Sequence, residues 1–268
     1  NGLNKTLFEP EICCFHDQGA FMEEVRKLDV KIHVFQFAAP YRPLISLPYR
    51  ILSIRRFFKK HKFDLIHSWH WSSDFTEPLA ASLAGIPFIY TKKAMGWGNK
   101  AWRWRSQLSS KIIAINKDMT TEFFEPFKSK TIYIPLGVDT SYFYKQKASR
   151  RLPDGTNFAS DDFVIVSVAN LVPVKGIEVL LDAVRALDDP SVKAIIVGDN
   201  SSEYGQFLKE NYQSASISFW NKQLDVRPFL AVSNLFVIST KNVGRKEGLP
   251  IAPLEAMAME KIILGSIF

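Results

Sequence analysis

At 268 residues, 47% of them hydrophobic and 23% charged, with 13 glycines and 14 prolines, the chain is long enough for one large or two medium domains. That composition excludes a collagen-like, low-complexity or mainly disordered protein. The net charge of +7 is uneven: residues 1–145 hold 21 Lys and Arg against 13 Asp and Glu, a net +8, and residues 146–268 hold 13 against 14, a net −1.

No stretch approaches the roughly 18 to 20 consecutive apolar residues that span a bilayer. The start, Asn1-Gly2-Leu3-Asn4-Lys5, has no basic-then-apolar leader pattern, so nothing in it is expected to direct secretion, and the cysteine usage makes the cytoplasm the expected compartment. Cys13 and Cys14 are adjacent in an apolar run, and neighbours on a strand point to opposite faces. Buried free thiols are therefore expected, and neither a disulfide nor a metal pair.

In chain order, residues 11–15 read as a strand, 19–28 as a helix and 30–37 as a second strand. A turn with Pro40, Pro43 and Pro48 precedes a basic helix at 49–61, a strand at 64–69, a helix at 75–84 ended by Gly85 and a strand at 87–91. Two further short strands, 111–116 and 131–135, flank a helix at 118–127. Residues 145–162, charged and turn-rich with little apolar periodicity, look like a crossover between domains. The pattern then restarts: a buried-type strand at 163–169, a helix at 177–187 with apolar residues at 177, 180, 181, 184 and 187, and strands at 194–197, 216–219 and 235–239. A last helix is expected to begin near Pro253, which suits a first helical turn. The alternation predicts two doubly wound α/β domains, 1–145 and 146–268, with ligands beyond the carboxyl ends of the strands.

Two segments carry the chemistry. In Lys246-Glu247-Gly248-Leu249-Pro250-Ile251-Ala252-Pro253-Leu254-Glu255, a carboxylate in a Gly/Pro loop after a strand precedes a second in the first turn of a helix. Backbone amides at such a helix start attract an anion, and neighbouring carboxylates accept hydrogen bonds from sugar hydroxyls. The structural alternative makes Glu255 a helix-dipole partner and Glu247 a solvated loop residue. In Val168-Ala169-Asn170-Leu171-Val172-Pro173-Val174-Lys175-Gly176, a lysine and a glycine stand at a strand-to-helix turn, where a compact cation can neutralise a diphosphate.

Together with Val197-Gly198-Asp199 and Tyr133-Ile134-Pro135-Leu136-Gly137-Val138-Asp139, these segments resemble the ordered motifs of family-4 (group 1) glycosyltransferases of GT-B fold. The resemblance covers nearly the whole chain. It implies an α/β fold of two Rossmann-like domains facing a cleft, and retaining transfer of a hexosyl unit from a UDP- or GDP-linked sugar to a hydroxyl, with no cofactor or metal. By the same resemblance Lys175 would sit on the diphosphate and Glu247 on the transferred sugar. Asn170, Gly176, Gly198, Gly248, Leu249, Pro250 and Glu255 would complete the donor site, Glu255 on the ribose. The acceptor would be a surface polysaccharide or lipid-linked glycan.

The chain departs from the family where Ala169-Asn170 replaces the usual Gly-Arg, and where Tyr90-Thr91-Lys92-Lys93 offers no histidine. His67, His70 and Lys92 are then the acceptor-side candidates. Members of the family also have an earlier strand with a Gly-rich loop and later helices, so the resemblance implies a chain incomplete at both ends. Other readings of the same architecture are a non-catalytic nucleotide-binding fragment and a sugar-nucleotide epimerase or phosphorylase.

Residues 50–62 and 92–105 interleave cations with large rings, which suits peripheral association with an anionic membrane. The alternative puts Phe57, Phe58 and some tryptophans in the core, with the cations on solvated faces. No recognised nucleic-acid motif accompanies the charge, so nucleic acid is not an expected partner.

Overall fold

The computed structural model describes residues 2–147, 149–243 and 246–266. The chain forms two compact units, one of residues 1–93 with 97–134 and the other of 94–96 with 135–268.

In the first unit, β1 (Glu11–Cys14) and β2 (Lys31–Val34) are a parallel pair joined through α1 (Ala20–Arg26). A second parallel sheet has the order β3-β4-β6-β7, from β3 (Ile66–Ser68), β4 (Phe88–Lys92), β6 (Lys111–Ala114) and β7 (Thr131–Tyr133). The helices are α2 (Leu47–His61), α3 (Thr76–Ala84), α4 (Trp102–Leu108) and α5 (Lys117–Glu122), while β5 (Ala94–Met95) belongs to the second unit. Helix α2 buries Ile51, Ile54 and Phe58, spaced to fall on one face. Helix α3 stops at Gly85, whose φ of +77° makes the left-handed cap that glycine allows without Cβ strain.

The second unit contains β8 (Phe163–Val168), α6 (Ile177–Leu187), β9 (Val192–Val197), α7 (Glu203–Tyr212), β10 (Ile217–Trp220), α8 (Arg227–Val232), β11 (Leu235–Ile238), β12 (Lys246–Glu247), α9 (Ile251–Ala258) and β13 (Ile262–Gly265). Its parallel sheet has the order β10-β9-β8-β11-β13. Alternate residues feed two cores, because side chains on a strand point to opposite faces. Val164, Val166, Ile195, Val197 and Phe236 pack with Phe229, Leu230, Ala256 and Met259 of α8, α9 and the residue after α9. Ile165, Ala194, Ile196 and Val237 pack on the other face with Leu180, Leu181, Val184 and Leu208 of α6 and α7. Each buried Val, Leu, Ile, Phe or Met among these stabilises by roughly 1.5–3 kcal/mol.

Several expectations are corrected. Tyr142 lies under the Arg227 guanidinium, and Phe143 packs on the core formed with α8 and α9, so residues 135–145 fall in the second compact unit, ahead of the expected crossover. Residues 118–127 split into α5 and a 3-10 stretch (Glu125–Lys130), with Phe127 outside helical dihedrals. The last helix begins at Ile251 after an extended Pro250, which puts Glu255 beyond the first turn. The cysteines are free but half-buried, since among the described residues β1 pairs with β2 alone; burial still pushes the Cys13 thiol up to about 12.

Candidate functional site

The order of strands in the second unit reverses between β8 and β11: the chain runs outward through β9 and β10, then returns to the other side of β8. Helices leave such a point in opposite directions, opening a crevice at the carboxyl ends of the strands. A cavity of about 240 Å³ lies there. The ends of β8 (Ser167, Val168), β9 (Val197) and β11 (Ile238) line it, together with the start of α9 (Ile251, Ala252, Pro253). The first amides of a helix have no partner within the helix, so α9 presents donors and a positive dipole end to this space.

Lys175 reaches the cavity from a 3-10 turn, Pro173–Lys175. Ser239 Oγ donates to the Lys175 carbonyl at 3.0 Å, and Lys241 N donates to the Val174 carbonyl at 2.8 Å. Gly176 closes the turn with φ +60°; a β-carbon there would meet the Ser239 carbonyl oxygen at 2.2 Å. The glycine thus admits a close approach of the protein's own backbone. Gly198 does the same against the Ala169 carbonyl, which a β-carbon would meet at 2.1 Å.

Glu247 is expected in a loop, but it stands in β12, paired antiparallel with β5 in the register Glu247↔Ala94. Its Oε1 lies 2.5 Å from Lys175 Nζ. Among the described residues its Oε2 is buried without a hydrogen-bond partner, an arrangement that costs about 1–3 kcal/mol unless a ligand supplies a donor. Lys175, Glu247, Asn170, Gly198 and Pro250 therefore share one cavity wall. Gly176, Gly248, Leu249 and Glu255 are not on that wall; Glu255 is half-buried in α9, and burial raises its carboxyl above the ordinary range.

Sequence reasoning missed Ser167, Ser239, Lys222 and Gln223, which also line the cavity. The strands ending near Ser167, Lys222 and Ser239 were legible, so the rule that parallel sheets bind ligand at their carboxyl ends could have found them.

The acceptor-side candidates lie in the first unit. His67 Nε2 is 2.8 Å from Thr91 Oγ1, and partial burial lowers its imidazole. His70 lines a separate cavity of about 280 Å³ with Phe15, Tyr41, Asp74 and Asn99. Its Nδ1 has no hydrogen-bond partner among the described residues. Burial first, then Arg105, lowers the His70 imidazole. Lys92 is turned inward: it is buried, with Nζ 3.7 Å from the Trp97 ring centroid. Arg105 is also buried, over the Phe88 and Tyr90 rings and paired with Glu77 at 3.1 Å. The 92–105 segment therefore does not present these two cations to solvent. Among the described residues no helix is long and apolar enough to cross a membrane.

Parallel sheets with alternating helices in both units, the second reversing its strand order where a lysine and a carboxylate meet, define a GT-B-type α/β protein. Residues 1–142 match the Glycosyltransferase Family 4 profile, and residues 149–266 match Glycosyl transferases group 1. The chain belongs to this family of glycosyltransferases. It is 24% identical to the Bacillus subtilis protein EpsD over 263 residues, covering 87% of this chain and 66% of that one. It is 23% identical over 235 residues to the Escherichia coli UDP-Gal:alpha-D-GlcNAc-diphosphoundecaprenol alpha-1,3-galactosyltransferase, covering 78% and 59%. The chain spans between 59% and 67% of the length of these curated relatives. Among solved structures, Anabaena HepE in complex with UDP and glucose superposes with TM-score 0.74 at 20% identity, over 95% of this chain and 72% of that one. A Rickettsia africae glycosyltransferase superposes with TM-score 0.76 at 18% identity, over 97% and 72%.

Proposed function

We propose that the protein is a retaining hexosyltransferase that takes a sugar from a UDP- or GDP-linked donor to a hydroxyl of a surface polysaccharide or lipid-linked glycan. The observation that carries this reading is Glu247: one oxygen beside Lys175, the other buried in the switch-point cavity with no hydrogen-bond partner among the described residues. A diphosphate offers Lys175 a more strongly charged partner than a carboxylate does. Glu247 then accepts from sugar hydroxyls and stabilises positive charge as the glycosidic bond breaks, while Lys175 and the start of α9 stabilise the leaving diphosphate. None of these steps calls for a metal or cofactor. HepE was crystallised with UDP, and the Escherichia coli relative is named for UDP-galactose and a diphosphoundecaprenol acceptor, which favours UDP and a lipid-linked glycan.

The test is thermal unfolding of the full chain with UDP, GDP, ADP and their sugar conjugates. A ligand at a hundred times its dissociation constant stabilises by about 2.7 kcal/mol. One base should give the shift, and Lys175→Ala should abolish it; nucleotide affinity unchanged in that variant removes Lys175 from the site. Glu247→Gln should bind donor but lose transfer, and wild-type turnover in it would refute the catalytic assignment. Binding without transfer by the wild type, across donors and lipid-linked acceptors, would favour the non-catalytic reading that Asn170 invites.

Membrane association at the cytoplasmic face is part of the same proposal. Ile45 is 94% exposed beside exposed Leu44 and Tyr49, and Arg56, Lys59 and Lys60 of α2 are exposed too. Exposed apolar side chains around the start of α2 and cations toward its end suit an anionic headgroup layer lying along the helix. Flotation with phosphatidylglycerol vesicles at low salt should carry the protein upward, and Ile45→Glu should weaken that. Failure of the wild type to float refutes this part alone.

A further inference from the structure

Glu11, His33 and His61 come from β1, β2 and the last residue of α2, and each offers one ligand atom within 4.8 Å of the other two. The parallel register aligns Glu11 with Lys31, which places Glu11 and His33 on the same face of the strand pair, since residues two apart share a face. His33 Nε2 contacts Glu11 Oε2, and Lys31 Nζ takes the other carboxylate oxygen at 3.1 Å. The His61 ring meets the His33 ring with centroids 4.4 Å apart at 67°. Phe57 and Phe63 pack against both imidazoles, so the cluster has an apolar wall, and His33 is buried.

We propose that Glu11, His33 and His61 form a binding site for a divalent transition-metal ion, with zinc the expected occupant and water completing four-coordination. Two imidazole nitrogens and one carboxylate oxygen are the donor set that borderline ions prefer over calcium or magnesium. On binding, the metal takes the place of the proton that His33 Nε2 donates to Glu11; that proton passes to water, and the metal-bound ring carries a single proton, on Nδ1. Lys31 stays on the outer carboxylate oxygen and orients Glu11. The ion would tie the end of α2 to the β1–β2 pair, apart from the switch-point cavity. Its role is structural, and it is independent of the donor-site reading.

The experiment uses the full chain without a polyhistidine tag, stripped of metal with a chelator, in wild type and in a Cys13→Ser/Cys14→Ser background that removes thiol ligands. Calorimetric titration with Zn2+ should give one equivalent bound in both. Co2+ should develop the visible absorption of a tetrahedral site, and Zn2+ should raise the unfolding temperature. His61→Gln, at a helix end, should weaken Zn2+ binding by more than about tenfold while leaving the metal-free unfolding temperature near wild type. Glu11→Gln, which keeps an acceptor for His33, should also weaken it and serves if His61→Gln does not fold. No stoichiometric binding by the wild type overturns the proposal. So does undiminished affinity in a folded His61→Gln or Glu11→Gln variant, or binding that disappears with the thiols alone.

Discussion

A side chain at residue 176 would need a left-handed backbone and would press on the Ser239 carbonyl, with Lys175 next in the chain. Gly176→Ala should therefore lose stability by at least the ~1–3 kcal/mol of the strained conformation, read as a lower urea midpoint at unchanged slope. Nucleotide affinity should fall with it, because the turn that aims Lys175 has to move; wild-type stability would show that the turn yields freely. Asp225 is tied differently, to a cation: it accepts from Arg227 Nε at 2.8 Å and Nη2 at 2.7 Å. Those side-chain bonds hold its carboxyl below the ordinary aspartate range despite some burial. A lowered folded pKa contributes stability above the unfolded value of about 3.9, lost as pH falls through the lower folded value. Urea midpoints measured between about pH 7 and pH 3 should fall less for Asp225→Asn than for wild type, and equal slopes would mean that the pair contributes nothing.

Elements of the first unit are joined by a buried polar network. Arg105 of α4 donates to Glu77 of α3 at 3.1 Å, to Ser68 of β3 at 2.9 Å and to the Asp74 carbonyl at 2.9 Å. Burial pushes the Glu77 carboxyl up, while Arg105 and Ser68 oppose it by favouring the charged form. Removing one partner strands the other charge, so Arg105→Ala or Glu77→Ala should each cost about 3–5 kcal/mol. Replacing both with apolar residues, Arg105→Met with Glu77→Leu, should cost less than the two single losses added together; additive losses would show that the side chains do not act as a pair. Nothing in the sequence singles Arg105 out, since it sits in Trp102-Arg103-Trp104-Arg105 with cations and rings alternating along a surface-like helix. Its burial depends on Glu77 arriving from 28 positions away. What was legible were the period-2 and helical apolar patterns: Val164, Ile165 and Val166 feed alternate cores, and 177, 180, 181 and 184 form one buried stripe of α6. The Lys175–Gly176 turn was legible for a related reason, because it follows directly on such a strand. The short β5 and β12 were not, since two-residue strands carry no periodicity and pair across about 150 residues of chain.

At the scale of the molecule, the second unit borrows Ala94–Gly96 from a stretch of chain whose neighbours on both sides belong to the first unit. This places a pairing partner for Glu247 far from it in sequence, and makes the carboxylate's position depend on β5 while Lys175 depends on α6, β11 and the turn between β8 and α6. The two halves of the proposed donor site should then be separable. Proline has no backbone N–H and fixes φ, so Ala94→Pro disturbs the β5–β12 pair and leaves the five-stranded sheet untouched. Affinity for the free nucleoside diphosphate, held through Lys175, should stay within about twofold of wild type, whereas transfer, which needs Glu247 in place, should drop by roughly a hundredfold, since misplacing a reacting group by about 1 Å has that order of effect. Calorimetric titration with the diphosphate alongside initial rates with the sugar conjugate reads both. Equal loss in the two would mean that β5 supports the whole cavity, and no loss in either would mean that Glu247 is held by its own loop and not by the strand.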